Sequence, residues 1–171
     1  MKRLSILRHA KSSWDEPGLA DFNRPLNERG WEAARRLGRE LDERNLTFDL
    51  VLSSSSARTR QTIDGIQRHY AFNAPIKFED EIYLASETTL VDLVRSLDEG
   101  VRAPLIVGHN PGLEMLITDL TEDDDRGLRQ RIQGKLPTGA LTILELDASQ
   151  WGEVGQASGK IVELILPKEL G

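Results

Sequence analysis

The sequence predicts a three-layer α/β sandwich with a mostly parallel central sheet. Two observations point there. Short apolar runs alternate with longer stretches at helical spacing, four times in succession, and each of these runs ends in polar residues that lead toward a helix start. The 171 residues fit one domain, 1–171, with no repeat or linker.

The first strand, residues 3–8, carries Leu4, Ile6 and Leu7 and ends on Arg8 and His9. A polar loop through Pro17, Gly18 and Pro25 leads to a helix from Asn27 to Glu43, with Asn27 as N-cap and Trp31, Ala33, Ala34, Leu37 and Leu41 as its apolar stripe. Asp49–Leu52 is the second strand. It runs into four serines, Ser53–Ser56, of which Ser55 or Ser56 caps a helix from Ala57 to Tyr70, with Thr59, Thr62, Ile63 and Ile66 on one face. A short strand at Ile76–Phe78 is followed by a helix marked by Leu90, Leu93, Val94 and Leu97. Leu105–Val107 is a buried strand, and Leu113, Leu116, Ile117 and Leu120 mark the fourth helix. The acidic Thr121–Asp125 stretch and the charged segment after it read as an exposed excursion. Strands near 141–146 and 161–166 close the fold.

Composition excludes several function classes. With 39% hydrophobic and 29% charged residues, the chain reads as a soluble globular protein. The absence of cysteine removes disulfides, thiolate nucleophiles and cysteine-based zinc sites. The apolar run after Met1-Lys2-Arg3 is too short for a signal-peptide core, and no run spans a bilayer, so the expected location is the cytoplasm. A formal net charge of −6 argues against nucleic acid or an anionic membrane as partner. Any positive site is therefore local, and docking on a protein partner is expected to use specific contacts.

In open α/β sheets ligands gather beyond the carboxyl ends of the strands. Three such ends carry unusual polar groups: Arg8-His9, then Ser53–Ser56 with Arg58, then His109-Asn110. Arginine forks match phosphate oxygens, and helices starting near Ala57 and Pro111 add backbone N–H groups, so the expected occupant is phosphate. Arg58 in a first helical turn opposes the helix dipole unless an anion is present. His9 suits a covalent nucleophile, and His109 a donor to the transferred phosphoryl group. The plainer readings are a strand-end histidine bonded to a backbone carbonyl and arginines in surface ion pairs. His69 receives no role. Trp14, Trp31 and Trp151 read as packing groups, with Trp14 in the loop that could border the crevice, and Glu122–Asp125 reads as a solvated loop, because adjacent carboxylates repel and fit no calcium loop.

Leu7-Arg8-His9-Ala10 resembles the "RHG" signature of the histidine phosphatase superfamily, which has the phosphoglycerate mutase-like fold. Ser53–Thr62 is similar to its "S-P-x-x-R-A-x-Q-T" segment, Val107-Gly108-His109-Asn110-Pro111 resembles the segment of its second histidine, and Arg24–Gly30 is similar to the stretch entering the first helix. The motifs occur in the family's order between residues 4 and 120, and the short chain resembles the compact SixA-like phosphohistidine phosphatases. The resemblance implies that His9 becomes transiently phosphorylated, that Arg8 and Arg58 clamp the phosphoryl oxygens, that His109 completes the pocket and that Arg24 adds a phosphate contact. It implies no metal or organic cofactor. Ala10 in place of glycine and Ser54-Ser55 in place of the proline context remove no reacting group. Larger relatives hold a carboxylic acid over the leaving group, and here only Asp80 or Glu81 falls in a corresponding segment, with Glu81 the candidate proton donor. A weakly placed acid penalises alkyl esters more than phosphoimidazole, because an alkoxide is the more basic leaving group. The expected activity is hydrolysis of phosphohistidine on a signalling protein through phospho-His9, with phosphate and vanadate as pocket ligands. The alternatives are a phosphomonoesterase acting on a small metabolite or phosphopeptide and a non-catalytic phosphate-binding module.

Overall fold

The computed structural model describes residues 1–170. Its strands β1 (Lys2–Arg8), β2 (Leu50–Ser54), β3 (Ile76–Glu79), β4 (Pro104–Gly108), β5 (Leu141–Leu146) and β6 (Gly159–Ile165) form one sheet in the order β3-β2-β4-β1-β5-β6. The four strands from β3 to β1 run parallel, whereas β5 is antiparallel to β1 and β6 to β5. Alternation along each strand then divides the core. On one face Leu4, Ile6, Leu52 and Ile106 pack with α3 (Glu87–Arg95), α4 (Gly112–Leu120) and α5 (Leu128–Ile132). On the other Leu7, Val51, Leu105 and Val107 pack with α1 (Glu28–Glu43) and α2 (Ala57–Ile66). This is the expected three-layer α/β arrangement.

Local sequence explains the helix starts. Asn27 caps α1, its Oδ1 accepting from Gly30 N–H at 2.8 Å, and Ser56, not Ser55, caps α2. Two expectations change. α2 stops at Ile66 instead of Tyr70, because the N–H groups of Arg68 and His69 bond three residues back and the Tyr70 hydroxyl donates to the Leu46 carbonyl at 2.6 Å. The segment after the acidic stretch is not wholly exposed. The Asp124 carboxylate accepts from the N–H groups of Arg126, Leu128 and Arg129, which starts α5 and buries Leu128 and Ile132.

Register places the site. Leu7 lies opposite Val107, Arg8 opposite Gly108 and Ser53 opposite Val107, so β1, β2 and β4 end level. Because β4 lies between β1 and β2, the residues leaving all three strands meet at one rim. No helix among the described residues is long and apolar enough to cross a membrane.

Candidate active site

At that rim a cleft of about 790 Å³ is lined by Arg8, His9, Arg24, Arg58 and His109, all five singled out from the sequence, together with Asp21 and Glu114. The histidine rings lie 5.2 Å apart.

His9 follows the last residue of β1 and is 5% exposed. Its N–H reaches the Gly108 carbonyl at 3.1 Å, and its Nδ1–H donates to the Ala10 carbonyl at 2.7 Å. The Ala10 N–H is in turn held by Thr62 Oγ1 at 3.0 Å, and that hydroxyl donates to the Arg58 carbonyl at 2.7 Å. The ring is therefore bolted to α2. With the proton on Nδ1, Nε2 keeps its lone pair, which accepts a long hydrogen bond from Arg58 Nε at 3.4 Å. Burial first, then the Arg58, Arg8 and Arg24 charges, push the His9 pKa down to about 4. At neutral pH the ring is unprotonated, the state a nucleophilic histidine requires.

His109 leaves β4 and is pushed down to about 3, first by burial and next by His9. Ser54 Oγ accepts from the Ser56 N–H at 3.3 Å, and the one acceptor within reach of its own proton among the described residues is His109 Nε2 at 2.8 Å, so the hydroxyl donates there. The neutral ring then carries its proton on Nδ1. That atom is buried without a partner, as is Arg8 Nε. Two orphaned donors at one anion-sized rim fit a phosphoryl group, which would satisfy both.

The arginines are pre-set by a residue that sequence reading missed. Asp21 accepts from Arg58 Nη2 at 3.0 Å and Arg24 Nε at 3.2 Å, and the Tyr83 hydroxyl donates to it. These hydrogen bonds, that of Tyr83 foremost and then that of Arg58, bring the Asp21 pKa down to about 2. Arg58 is 3% exposed, and Asp21 supplies the anion that its place in the first turn of α2 calls for. Arg24 also donates to Ser12 and stacks 3.7 Å from the ring of Trp14, which borders the cleft but stands 75% exposed and is not the packing group the sequence suggested. Asp21 sits three residues before Arg24, and that spacing was its only sequence signal.

The far wall is a loop, residues 134–139, that the sequence placed within an excursion. Arg8 Nη1 donates to the Leu136 carbonyl at 2.7 Å, and the Leu136 N–H donates to Glu114 Oε1 at 2.6 Å. Gly139, at φ +76°, turns its N–H onto the carbonyls of both Arg8 and His9. Asp80 and Glu81 are exposed in a 3₁₀ turn and do not line the cleft; Asp80 instead accepts from Ser55. Among the described residues no group of three or more histidine, aspartate or glutamate side chains is placed to hold a metal ion.

A family model described as the histidine phosphatase superfamily (branch 1) matches residues 4–83. An uncharacterized protein of Mycobacterium tuberculosis is 30% identical over 164 residues, covering 95% of this chain and all of that one. A protein of Agrobacterium tumefaciens assigned as a phosphohistidine phosphatase SixA is 32% identical, with a TM-score of 0.80 over 97% of this chain and 98% of that one. A protein histidine phosphatase SixA complexed with tungstate shares the fold at 20% identity and TM-score 0.79, with 99% of each chain covered.

Proposed function

The chain belongs to the histidine phosphatase superfamily, in its SixA-like branch, and we propose that it hydrolyses phosphohistidine on a partner protein through a covalent intermediate on His9. In the first step His9 Nε2 attacks phosphorus while the bond from phosphorus to the substrate's imidazole nitrogen breaks. Arg8, Arg58 and the His109 Nδ1–H hold the phosphoryl oxygens as charge spreads over them, with Arg24 at the border. In the second step water attacks phosphorus and the bond to Nε2 breaks. Because Nδ1 keeps its proton on the Ala10 carbonyl throughout, phospho-His9 departs as neutral imidazole and the water proton leaves on phosphate.

The observation that carries the reading is the state of the cleft carboxyls. Asp21 is ionised far below neutral pH, and Glu114 is turned onto the Leu136 N–H. An alkyl phosphate expels a basic alkoxide that needs a proton, whereas phosphohistidine protonated on its far nitrogen leaves as neutral imidazole without one. A histidine-phosphorylated carrier of a signalling relay is a substrate of this kind, and orthophosphate or vanadate would occupy the same clamp.

The test follows ³¹P NMR signals of a phosphohistidine protein, a phosphoserine peptide and a sugar phosphate in one tube. Preferential loss of the phosphohistidine signal is expected. Faster loss of either ester would replace this reading with a phosphomonoesterase in which a proton donor reaches the leaving group. Loss of none would leave a phosphate-binding module.

A further inference from the structure

Seven of the 22 lysines and arginines have no carboxylate or hydrogen-bond partner for their side chains among the described residues: Lys11, Arg29, Arg68, Lys77, Arg102, Lys135 and Lys168. Four of them gather in one place. Lys11 and Lys135 line the cleft, and Lys11 also lines an adjoining depression of about 540 Å³ with Arg29, Arg36 and Lys168. Lys11 and Thr138 border both, so the two spaces adjoin.

The junction is built into the fold. The Lys11 carbonyl accepts the Asn27 N–H at 3.0 Å, and a Cβ on Gly30 would lie 2.1 Å from that oxygen, so only glycine lets α1 close so tightly on the segment after the nucleophile. Two carboxylates face the depression. Glu32 is bonded to Arg35 and Arg36 and lies close to Arg39, while Glu28 is the other.

Cleft and depression together hold eight cationic and four anionic side chains, leaving 14 of the 22 cations and 24 of the 28 carboxylates elsewhere. A surface that is negative overall thus carries one positive track, ending at His9. At physiological ionic strength screening acts over about 8 Å, so a partner on this face meets the track and not the net charge. Arg29 and Arg36 are seven residues apart on α1, or about 10 Å. A small phosphorylated metabolite held at His9 leaves them uncovered, whereas a protein surface reaches them.

We propose that this depression is a docking track for an acidic face of the phosphoprotein substrate, beside its phosphorylated residue. The proposal rests on the phosphoprotein reading above.

Arg29 and Lys168 are exposed, so the R29E/K168E double variant tests the track without disturbing core or clamp. With a histidine-phosphorylated protein bearing an acidic face, kcat/KM at low salt is expected to fall at least about tenfold, through KM, and its salt dependence to flatten. Turnover of phosphoramidate is expected to stay within about twofold of wild type. Equal losses on both substrates, or no loss on the protein, would overturn the track. A binding arm needs no turnover: labelled poly-L-glutamate is expected to bind wild type and to lose at least about tenfold in affinity for the variant. If wild type ignores the phosphoprotein but this difference holds, the functional reading fails and the track stands. Equal or absent binding of poly-L-glutamate, or tighter binding of a single-stranded RNA of equal charge, overturns it.

Discussion

The cleft wall made by the ends of β1, β2 and β4 and the wall made by residues 134–139 frame the same cleft by different physical routes. The first is a set of strand ends tied into a sheet whose core residues are almost fully buried, and it fixes His9 and His109 through side-chain and backbone bonds that water does not reach. The second is a loop with two glycines at positive φ and exposed residues at its tip, pinned at Gly139, at the Leu136 N–H and at the Leu136 carbonyl. Rigid burial positions the His9 ring, while the pinned loop positions the Arg8 fork, which in the proposed mechanism would hold the phosphate. Damage to the first wall should therefore appear in kcat, and damage to the second in KM.

The largest effect expected is on the first wall. His9→Ala removes the nucleophile and should lower turnover by about 10⁴-fold or more, while the guanidiniums still bind orthophosphate, read as thermal stabilisation by phosphate. Turnover retained in that variant would sink the covalent mechanism.

The same burial makes the first wall sensitive to acid. Both histidines hold pKa values, about 4 and about 3, below the ordinary 6.5 they regain on unfolding. Between pH 6.5 and 4 the unfolded chain binds more protons than the folded one, so stability is full above 6.5 and declines as pH falls toward 4. From pH 7 to pH 5 the loss is about 2 kcal/mol for each histidine. Denaturant midpoints in phosphate-free buffer should show that slope, and His109→Ala should flatten it by about half. An unchanged slope would mean that burial does not hold these rings neutral.

The two walls also differed in how far the sequence exposed them. Arg8, His9, Arg58 and His109 each sit within a few residues of a strand end, so apolar runs found the strands and the polar residues after them found the site. Asp21 and Glu114 act on partners 37 and 22 residues away, Arg58 and Leu136, and such pairings exist only once the chain is folded. α5 was missed because five residues, two of them arginines, show a single apolar pair, Leu128 and Ile132, too short for a period to register. α2 was drawn too long because Tyr70 continues the apolar spacing of Ile63 and Ile66, although its ring is held by Phe48, Phe72 and the Leu46 carbonyl.

On the second wall, Glu114→Ala removes the acceptor for the Leu136 N–H and loosens the carbonyl that orients Arg8. A charge-assisted hydrogen bond of this kind contributes about 1.5–3 kcal/mol, so kcat/KM should fall roughly 10- to 100-fold, mainly through KM. Glu114→Gln keeps an oxygen acceptor and should recover most of the loss. A fall in kcat alone would place Glu114 with the reacting atoms and erase the distinction between the walls.

The smallest effect expected is the sharpest test of that distinction, because it touches the first wall without touching a phosphate ligand. Thr62 Oγ1 holds the Ala10 N–H, and the Ala10 carbonyl holds His9 Nδ1, so Thr62 steadies the residue whose carbonyl fixes the His9 ring. Thr62→Val keeps the shape but leaves a buried N–H unpaired, which should destabilise the fold by about 1–3 kcal/mol. If the bolt orients His9, kcat should drop about tenfold with KM for the phosphohistidine protein unchanged. Thr62→Ser restores the hydroxyl at the cost of a methyl group and should return kcat to within about twofold of wild type. Were Thr62→Val to raise KM instead, the Arg58 carbonyl that Thr62 also holds would be the important partner, and the strand-end wall would position the clamp as well as the nucleophile.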